Sequence, residues 1–185
     1  KRMMAYSSIT QAGYMLAGLM AADAAGVKSI LFYSMLYIFA NVGAFAVIIA
    51  VRQHRGSSEI KDFSGLAQQS PFLAVVMIVC LLSMGGIPPM AGFVGKVYIF
   101  TAVIEKGYIW MGILGFVMSM ISVYYYLIIG RVMYMNEPQD QHEYVISGEL
   151  RLAAAVGFIG TLFIGIYPEP LAKLANAAAR SLGII

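Results

Sequence analysis

The sequence predicts an all-α integral membrane protein with about five transmembrane helices, one of them discontinuous at Gly85–Pro89. Three observations carry that reading. Of the 185 residues, 61% are hydrophobic and only 11% are charged, and the mean hydropathy is +0.80, outside the range of soluble globular chains. The apolar residues gather into segments of about 20, the length a helix needs to cross a ~30 Å hydrocarbon core. One stretch, "LLSMGGIPPMAGFVGKVYIF" (Leu81 to Phe100), sets helix breakers and a lysine inside an otherwise long apolar run.

The first span, about 3–22, opens on "KRMMAYSSITQAGY" and closes at the small-residue loop "AADAAGVKS", which carries Asp23 and Lys28. Two basic residues before an apolar run imitate the start of a signal peptide, but no cleavage site followed by a polar mature segment comes near residue 20. A chain that opens in mid-pattern, with no Met before Lys1, is expected to belong to something longer. The second span, about 30–51, ends in "RQHRGSSEIKDFSGLAQQSP", expected to be an aqueous loop.

From Phe72 to Ile104 the chain stays apolar apart from "GGIPP". A straight helix over 72–104 would be roughly 50 Å long, too long for one crossing, and the pieces on either side of the break, about 13 to 15 residues each, are too short for two. Segment length therefore predicts one span made of two half-helices that overlap around a break at membrane depth. A fourth span follows over about 109–130. A fifth, about 152–167, is closed by "YPEP", because the residue before a proline is pushed out of the α region. The tail "LAKLANAAARSLGII" has helical spacing with basic residues to one side and is expected to lie along the membrane surface. With no repeat and no low-complexity stretch, residues 1–185 read as a single membrane domain.

The net charge of +3 is small and the basic residues stand at segment ends, so nucleic-acid binding has no footprint here. These residues serve topology instead. Taking the broken segment as one crossing, a choice that rests on segment length because the charge count is more lopsided for two, puts Lys1, Arg2, Arg52, Arg55, Lys61, Arg131 and Arg151 on one face; on either count the Lys1 face is predicted to be cytoplasmic, and one crossing leaves the C-terminus on the opposite face. The single cysteine, Cys80, lies in an apolar run, and His54 and His142 sit in polar loops, a distribution that weighs against metal or redox chemistry within the chain.

Lys96 is the residue with the most chemical consequence. Non-helical backbone at mid-membrane survives only where protein or a water-filled cavity surrounds it, and the break around Gly85, Gly86, Pro88 and Pro89 frees backbone groups for water or an ion. On a helix, positions 89, 92, 93 and 100 share one face with Lys96. A buried lysine costs a few kcal/mol on insertion scales and can exchange its proton, which makes Lys96 a candidate proton carrier. The plainer alternative is that Lys96 snorkels to the interface, but Glu105 and Lys106 mark that interface about 14 Å further on, a long reach. Tyr6, Ser7, Ser8, Thr10 and Gln11 on the first span, and Tyr33, Ser34, Tyr37 and Asn41 on the second, read first as interhelical glue. Tyr124, Tyr125 and Tyr126 read first as an interfacial aromatic belt. Tyr6, Ser7, Ser8 and Tyr124 remain candidates for a polar pathway.

"KRMMAYSSITQAGY" resembles the motif K-R-L-L-A-Y-S-S-I-x-Q-x-G-Y, and "LSMGGIPPMAGFVGK" the motif L-S-L-x-G-I-P-P-x-x-G-F-x-G-K, of the antiporter-like membrane subunits of respiratory complex I. "SVYYYLIIGRVMYM" leans toward the subunit N branch of bacterial NADH-quinone oxidoreductase. Either long motif alone is also compatible with a multisubunit Na+/H+ antiporter or a membrane-bound hydrogenase. A structural membrane fragment without transport is the third possibility. The resemblance implies that these helices correspond to the last ones of a longer subunit, in a bacterial inner membrane, with other membrane subunits of complex I, lipid and an N-terminal part of the same subunit as partners. It implies that Lys96 holds the proton-transfer position. It also implies that NADH, FMN, iron–sulfur clusters and quinone act in partner subunits, with no cofactor in this chain.

Overall fold

The computed structural model describes residues 1–138 and 144–181; His142, assigned to a loop from sequence, lies outside them. The first helix, α1 (Arg2–Leu19), is followed by the 32-residue α2 (Ala24–Arg55), about 48 Å long at 1.5 Å per residue. Asp23 starts α2 by accepting a hydrogen bond from the Gly26 amide at 2.9 Å, and Gly56, in the left-handed region at φ 77°, ends it. After a 3-10 turn (Ile60–Phe63) and the single-turn α3 (Leu66–Gln69) come α4 (Pro71–Gly85) and α5 (Ala91–Glu105). Then follow α6 (Ile109–Met135), α7 (Gly148–Ile166) and α8 (Glu169–Ser181), and no strand occurs among the described residues.

Helices α2, α6 and α7 are each long and apolar enough to cross a membrane unaided. Helix α2 is the central post, packed against α1, α4, α5, α7 and α8. At its crossing with α7, a Cβ added to Gly157 would stand 2.4 Å from the Gly43 Cα, so the two backbones are in direct contact. Small residues at crossings are how helices associate in lipid, where apolar burial gives no net drive.

The half-helices α4 and α5 run in succession from one end of the bundle to the other. At the first end, Lys1, Arg2 and Met3 share a surface cavity with Ser58, Glu59 and Ile60. At the other, Lys106, just past α5, pairs with Asp23 at 2.7 Å.

One expectation is corrected by the fold. The segment after α2 is not a simple aqueous loop: Phe63 and Leu66 are buried, and Asp62 holds the turn by accepting from the Glu59 amide at 2.7 Å and from the Ser57 hydroxyl. Two apolar residues among charges suffice to dock the segment once Asp62 caps it. Helix α8 packs on α2, with Ala175 and Ala179 buried in the contact. Small side chains allow that close seat.

Buried apolar residues form two clusters, one around Ala40–Val51, Leu73–Met84 and Tyr126–Met133, the other around Tyr14, Phe32, Tyr33, Ala91, Ile99 and Phe100. The helix break lies on the seam between them.

Candidate functional site

The break is built by local chemistry at both half-helix ends. Helix α4 stops at Gly86, whose φ of 80° an L side chain resists, and the last turn closes with Gly86 N–H to Leu82 and Ser83 carbonyls at 3.0 and 2.9 Å and Ile87 N–H to Leu82 at 3.1 Å. These bonds leave the Met84 and Gly85 carbonyls without helical donors. The Pro88–Pro89 peptide is cis. Helix α5 then begins hard against α4. The Gly92 amide donates to Ser83 Oγ at 3.0 Å, and a Cβ at Gly92 would fall 1.7 Å from the Ser83 carbonyl oxygen, so only glycine fits.

Lys96 completes the break. Side chains on a helix lean toward its N-terminus, so Lys96, one turn beyond Gly92, reaches back over the break and not forward to the interface at Glu105. Its Nζ donates to the Met84 carbonyl at 2.8 Å, the Gly85 carbonyl at 3.0 Å and Ser119 Oγ of α6 at 2.6 Å. Ser119 Oγ in turn donates to the Gly85 carbonyl at 2.8 Å. The Tyr14 ring of α1 faces Nζ with its centroid at 4.9 Å, an attractive cation–π placement. Lys96 is 2% exposed and no carboxylate pairs with it among the described residues. A cation is thus held by the negative end of a half-helix, one hydroxyl and one aromatic face. Such a site stabilises the charge without neutralising it with a counter-charge, leaving a proton that can be given up.

A second polar cluster adjoins the first. Gln11 of α1 donates through Nε2 to the same Met84 carbonyl at 3.2 Å and to Tyr126 Oη at 3.3 Å, and accepts from the Tyr33 hydroxyl. Tyr126 Oη and Ser7 Oγ are 2.6 Å apart. Tyr37 donates to Ser8 Oγ at 2.9 Å, and Ser8 donates to the Met4 carbonyl at 3.0 Å. A cavity of about 360 Å³ borders each cluster: one is lined by Gly86, Phe93, Lys96, Phe116 and Ser119, the other by Tyr6, Ser7, Thr10, Ser122 and Tyr126.

Among the residues singled out from sequence, Lys96, Gly85 and Gly86 come together at the break, while Ser7 and Ser8 fall in the second cluster. Tyr6 and Tyr124 do not join either network; they are 68% and 67% exposed, because their helix positions turn them outward. The inward tyrosine is Tyr126, two residues on and so on the opposite side of α6 from Tyr124. Sequence reasoning missed Ser119 and Ser83, and set Gln11, Tyr33 and Tyr126 aside as glue or belt. A signal existed for the first: Ser119, Ser122 and Tyr126 recur at helical spacing on one face of an otherwise apolar α6. No three of His, Cys, Asp and Glu come together among the described residues, and Cys80 is buried in the apolar core, a donor set that does not fit an iron–sulfur cluster.

The sequence profile of the NADH:quinone oxidoreductase/Mrp antiporter transmembrane family matches residues 1–122. NADH-quinone oxidoreductase subunit N of Heliobacterium modesticaldum is 55% identical over 182 residues, 98% of this chain and 39% of that relative. The chain thus spans about two fifths of the length of the curated relatives it matches. Among solved structures, respiratory complex I from Thermus thermophilus with bound aureothin holds a chain that superposes with a TM-score of 0.75 at 30% identity, over 94% of this chain and 39% of that one. The Mrp complex from a Dietzia species shares the fold, with a TM-score of 0.83 at 23% identity over 94% of this chain and 41% of that one. On the profile match and the identity to subunit N, the chain belongs to the NADH:quinone oxidoreductase/Mrp antiporter transmembrane family.

Proposed function

We propose that this chain is the part of a proton-translocating membrane subunit of NADH-quinone oxidoreductase that carries the proton-transfer lysine, Lys96. The observation that carries the reading is a buried lysine lying on the carbonyl end of a broken helix, hydrogen-bonded to uncharged oxygens only and bordering a cavity of about 360 Å³. The identity to subunit N supports an oxidoreductase over a sodium/proton antiporter or a hydrogenase.

In this reading five crossings traverse the bacterial inner membrane: α1, α2, the α4–α5 pair, α6 and α7. The Lys1 end faces the cytoplasm and the C-terminus the periplasm. The pairing of Lys106 with Asp23 at one end, and the cavity shared by Lys1 and Glu59 at the other, support a single crossing for α4–α5. Other membrane subunits, lipid and the rest of the subunit are the partners. NADH, FMN, iron–sulfur clusters and quinone work in partner subunits. Electron transfer there shifts charge along the mid-membrane polar axis, and Lys96 answers by releasing or taking a proton. A change of one unit in its proton affinity corresponds to about 1.4 kcal/mol, within reach of one nearby charge movement.

The test is NADH-driven proton uptake in membrane vesicles bearing the assembled complex, with Lys96→Ala beside the parent and assembly checked on a native gel. Proton uptake is expected to fall to background with assembly intact and to show no dependence on sodium. An assembled Lys96→Ala complex that pumps normally would refute the assignment.

A further inference from the structure

We propose that Ser119 is the hydroxyl switch of Lys96, accepting a hydrogen bond from the lysine while it is charged and turning to donate one when it is neutral. The inference rests on the proton-carrying role proposed for Lys96 and adds a residue to it.

Donors and acceptors at the site balance in both protonation states. A charged lysine has three N–H donors and nothing to accept with. The site offers three acceptors in reach, the Met84 and Gly85 carbonyls and Ser119 Oγ, at 2.8, 3.0 and 2.6 Å. All three donors are therefore satisfied, and the Ser119 hydrogen is spent on the Gly85 carbonyl at 2.8 Å. A neutral amine has two N–H donors and a lone pair that needs a donor. Carbonyl oxygens have no hydrogen to give, so of the three partners only Ser119 can supply one. When it turns, Gly85 keeps the N–H it already accepts from Lys96. The site is thus satisfied in both states by rotation about a single Cβ–Oγ bond, with no movement of the backbone.

Ser119 also stands where the proton must leave. It shares with Lys96 the wall of a cavity of about 360 Å³ whose other side chains, among them Phe93, Phe116, Met120 and Val123, are apolar. In the release step an Nζ–H bond breaks, the proton passes to a water molecule entering from the cavity, the electron pair stays on Nζ, and the Ser119 hydroxyl turns onto that pair. No other side-chain hydroxyl bonds Nζ among the described residues, although the Tyr14 hydroxyl, buried and without a hydrogen-bond partner, lies beside Ser119. From α1 the Tyr14 ring presents its face to Nζ; from α4 only carbonyls face it; and no charged side chain acts on it among the described residues. Ser119 is a positioning residue in this scheme, since it prepares Lys96 for transfer without itself carrying the proton away.

The experiment uses the assembled complex in membrane vesicles with Ser119→Ala, Ser119→Thr and Lys96→Ala, and reads the rate of NADH-driven proton uptake between about pH 6 and 9, the range in which such a profile reports the groups involved. Ser119→Ala is expected to assemble, to pump about tenfold more slowly and to show a displaced pH profile, the scale of one lost hydrogen bond to a charged group. Ser119→Thr, which keeps the hydroxyl, is expected to restore both. Should Ser119→Ala fail to assemble, Ser119→Cys, a poor donor of similar size, replaces it under the same criteria. A parental pH profile in Ser119→Ala together with lost pumping in Lys96→Ala overturns the switch alone. Equal losses in Ser119→Ala and Ser119→Thr at an unchanged profile reduce Ser119 to a structural tie and overturn it too. Normal pumping in Lys96→Ala removes the reading on which the switch rests.

Discussion

Replacing Gly92 by alanine tests whether the half-helices must touch for Lys96 to work. The new methyl group would fall 1.7 Å from the Ser83 carbonyl oxygen, whereas ordinary contact begins at 3.4 Å, and the obstacle is backbone that cannot rotate away. Helix α5 must therefore retreat from α4 by roughly the difference, and Lys96 rides on the next turn of the same helix. Its bonds of 2.8 and 3.0 Å to the Met84 and Gly85 carbonyls then lengthen beyond hydrogen-bonding range. Losing two bonds from a charged donor costs about 3 to 6 kcal/mol, and overpacking adds about 1 to 3 kcal/mol. Gly92→Ala is expected to abolish proton uptake as completely as Lys96→Ala while NADH oxidation persists and the complex still forms on a native gel. A Gly92→Ala complex that pumps at the parental rate would mean that the overlap of the half-helices does not position Lys96, and the account of the break would be wrong.

Gln11→Leu is expected to lower stability by about 2 kcal/mol, because it strips a donor from Met84 and Tyr126 and an acceptor from Tyr33, all buried; thermal unfolding of the detergent-solubilised protein measures this. Asp23 both caps α2 and pairs with Lys106 at 2.7 Å. Asp23→Asn, which keeps a good cap, is expected to cost no more than about 1 kcal/mol, and Asp23→Ala about 1 kcal/mol beyond that. The Lys106 ammonium beside Asp23, helped by the Gly26 amide, holds its carboxyl below the usual carboxylate range. The pair's contribution is therefore complete above the unfolded value near pH 4 and fades as the pH falls through the lower folded value. Unfolding measured against pH is expected to show the parent and Asp23→Asn converging only in that acid window.

The broken helix was legible because "GGIPP" sits in a run too long for one helix and too short for two, an argument from length alone. Lys96 was legible as a buried cation, but its direction was not. Distance to Glu105 and Lys106 made the lysine look stranded, whereas the backward lean of helical side chains puts the Met84 and Gly85 carbonyls within reach. Ser119 was hidden for a different reason. A serine in an apolar helix usually bonds its own backbone, as Ser122 does to the Met118 carbonyl at 2.9 Å, and only the placement of α6 against the break separates the two cases. The three consecutive tyrosines of α6, Tyr124, Tyr125 and Tyr126, pose the same difficulty, since the rotation of the helix decides which one faces inward. Phe63 and Leu66 looked like loop residues because charge surrounds them, and their burial follows from the cap that Asp62 provides.

The Met84 carbonyl, which receives both Lys96 and Gln11, has a consequence for what can pass between the two polar clusters. A peptide oxygen takes hydrogen bonds on both lone pairs but owns no hydrogen to hand on, so it is an insulator for proton hopping. It is nonetheless a conductor of electric field: when the ammonium on one lone pair loses its charge, polarisation of that oxygen changes the strength of the amide bond on the other. News of the charge on Lys96 thus reaches Gln11, Tyr33 and Tyr126 without any proton travelling that way. Because the junction is main chain, no single side-chain replacement at position 84 can delete its oxygen, and only a change in the path of the backbone can disconnect it.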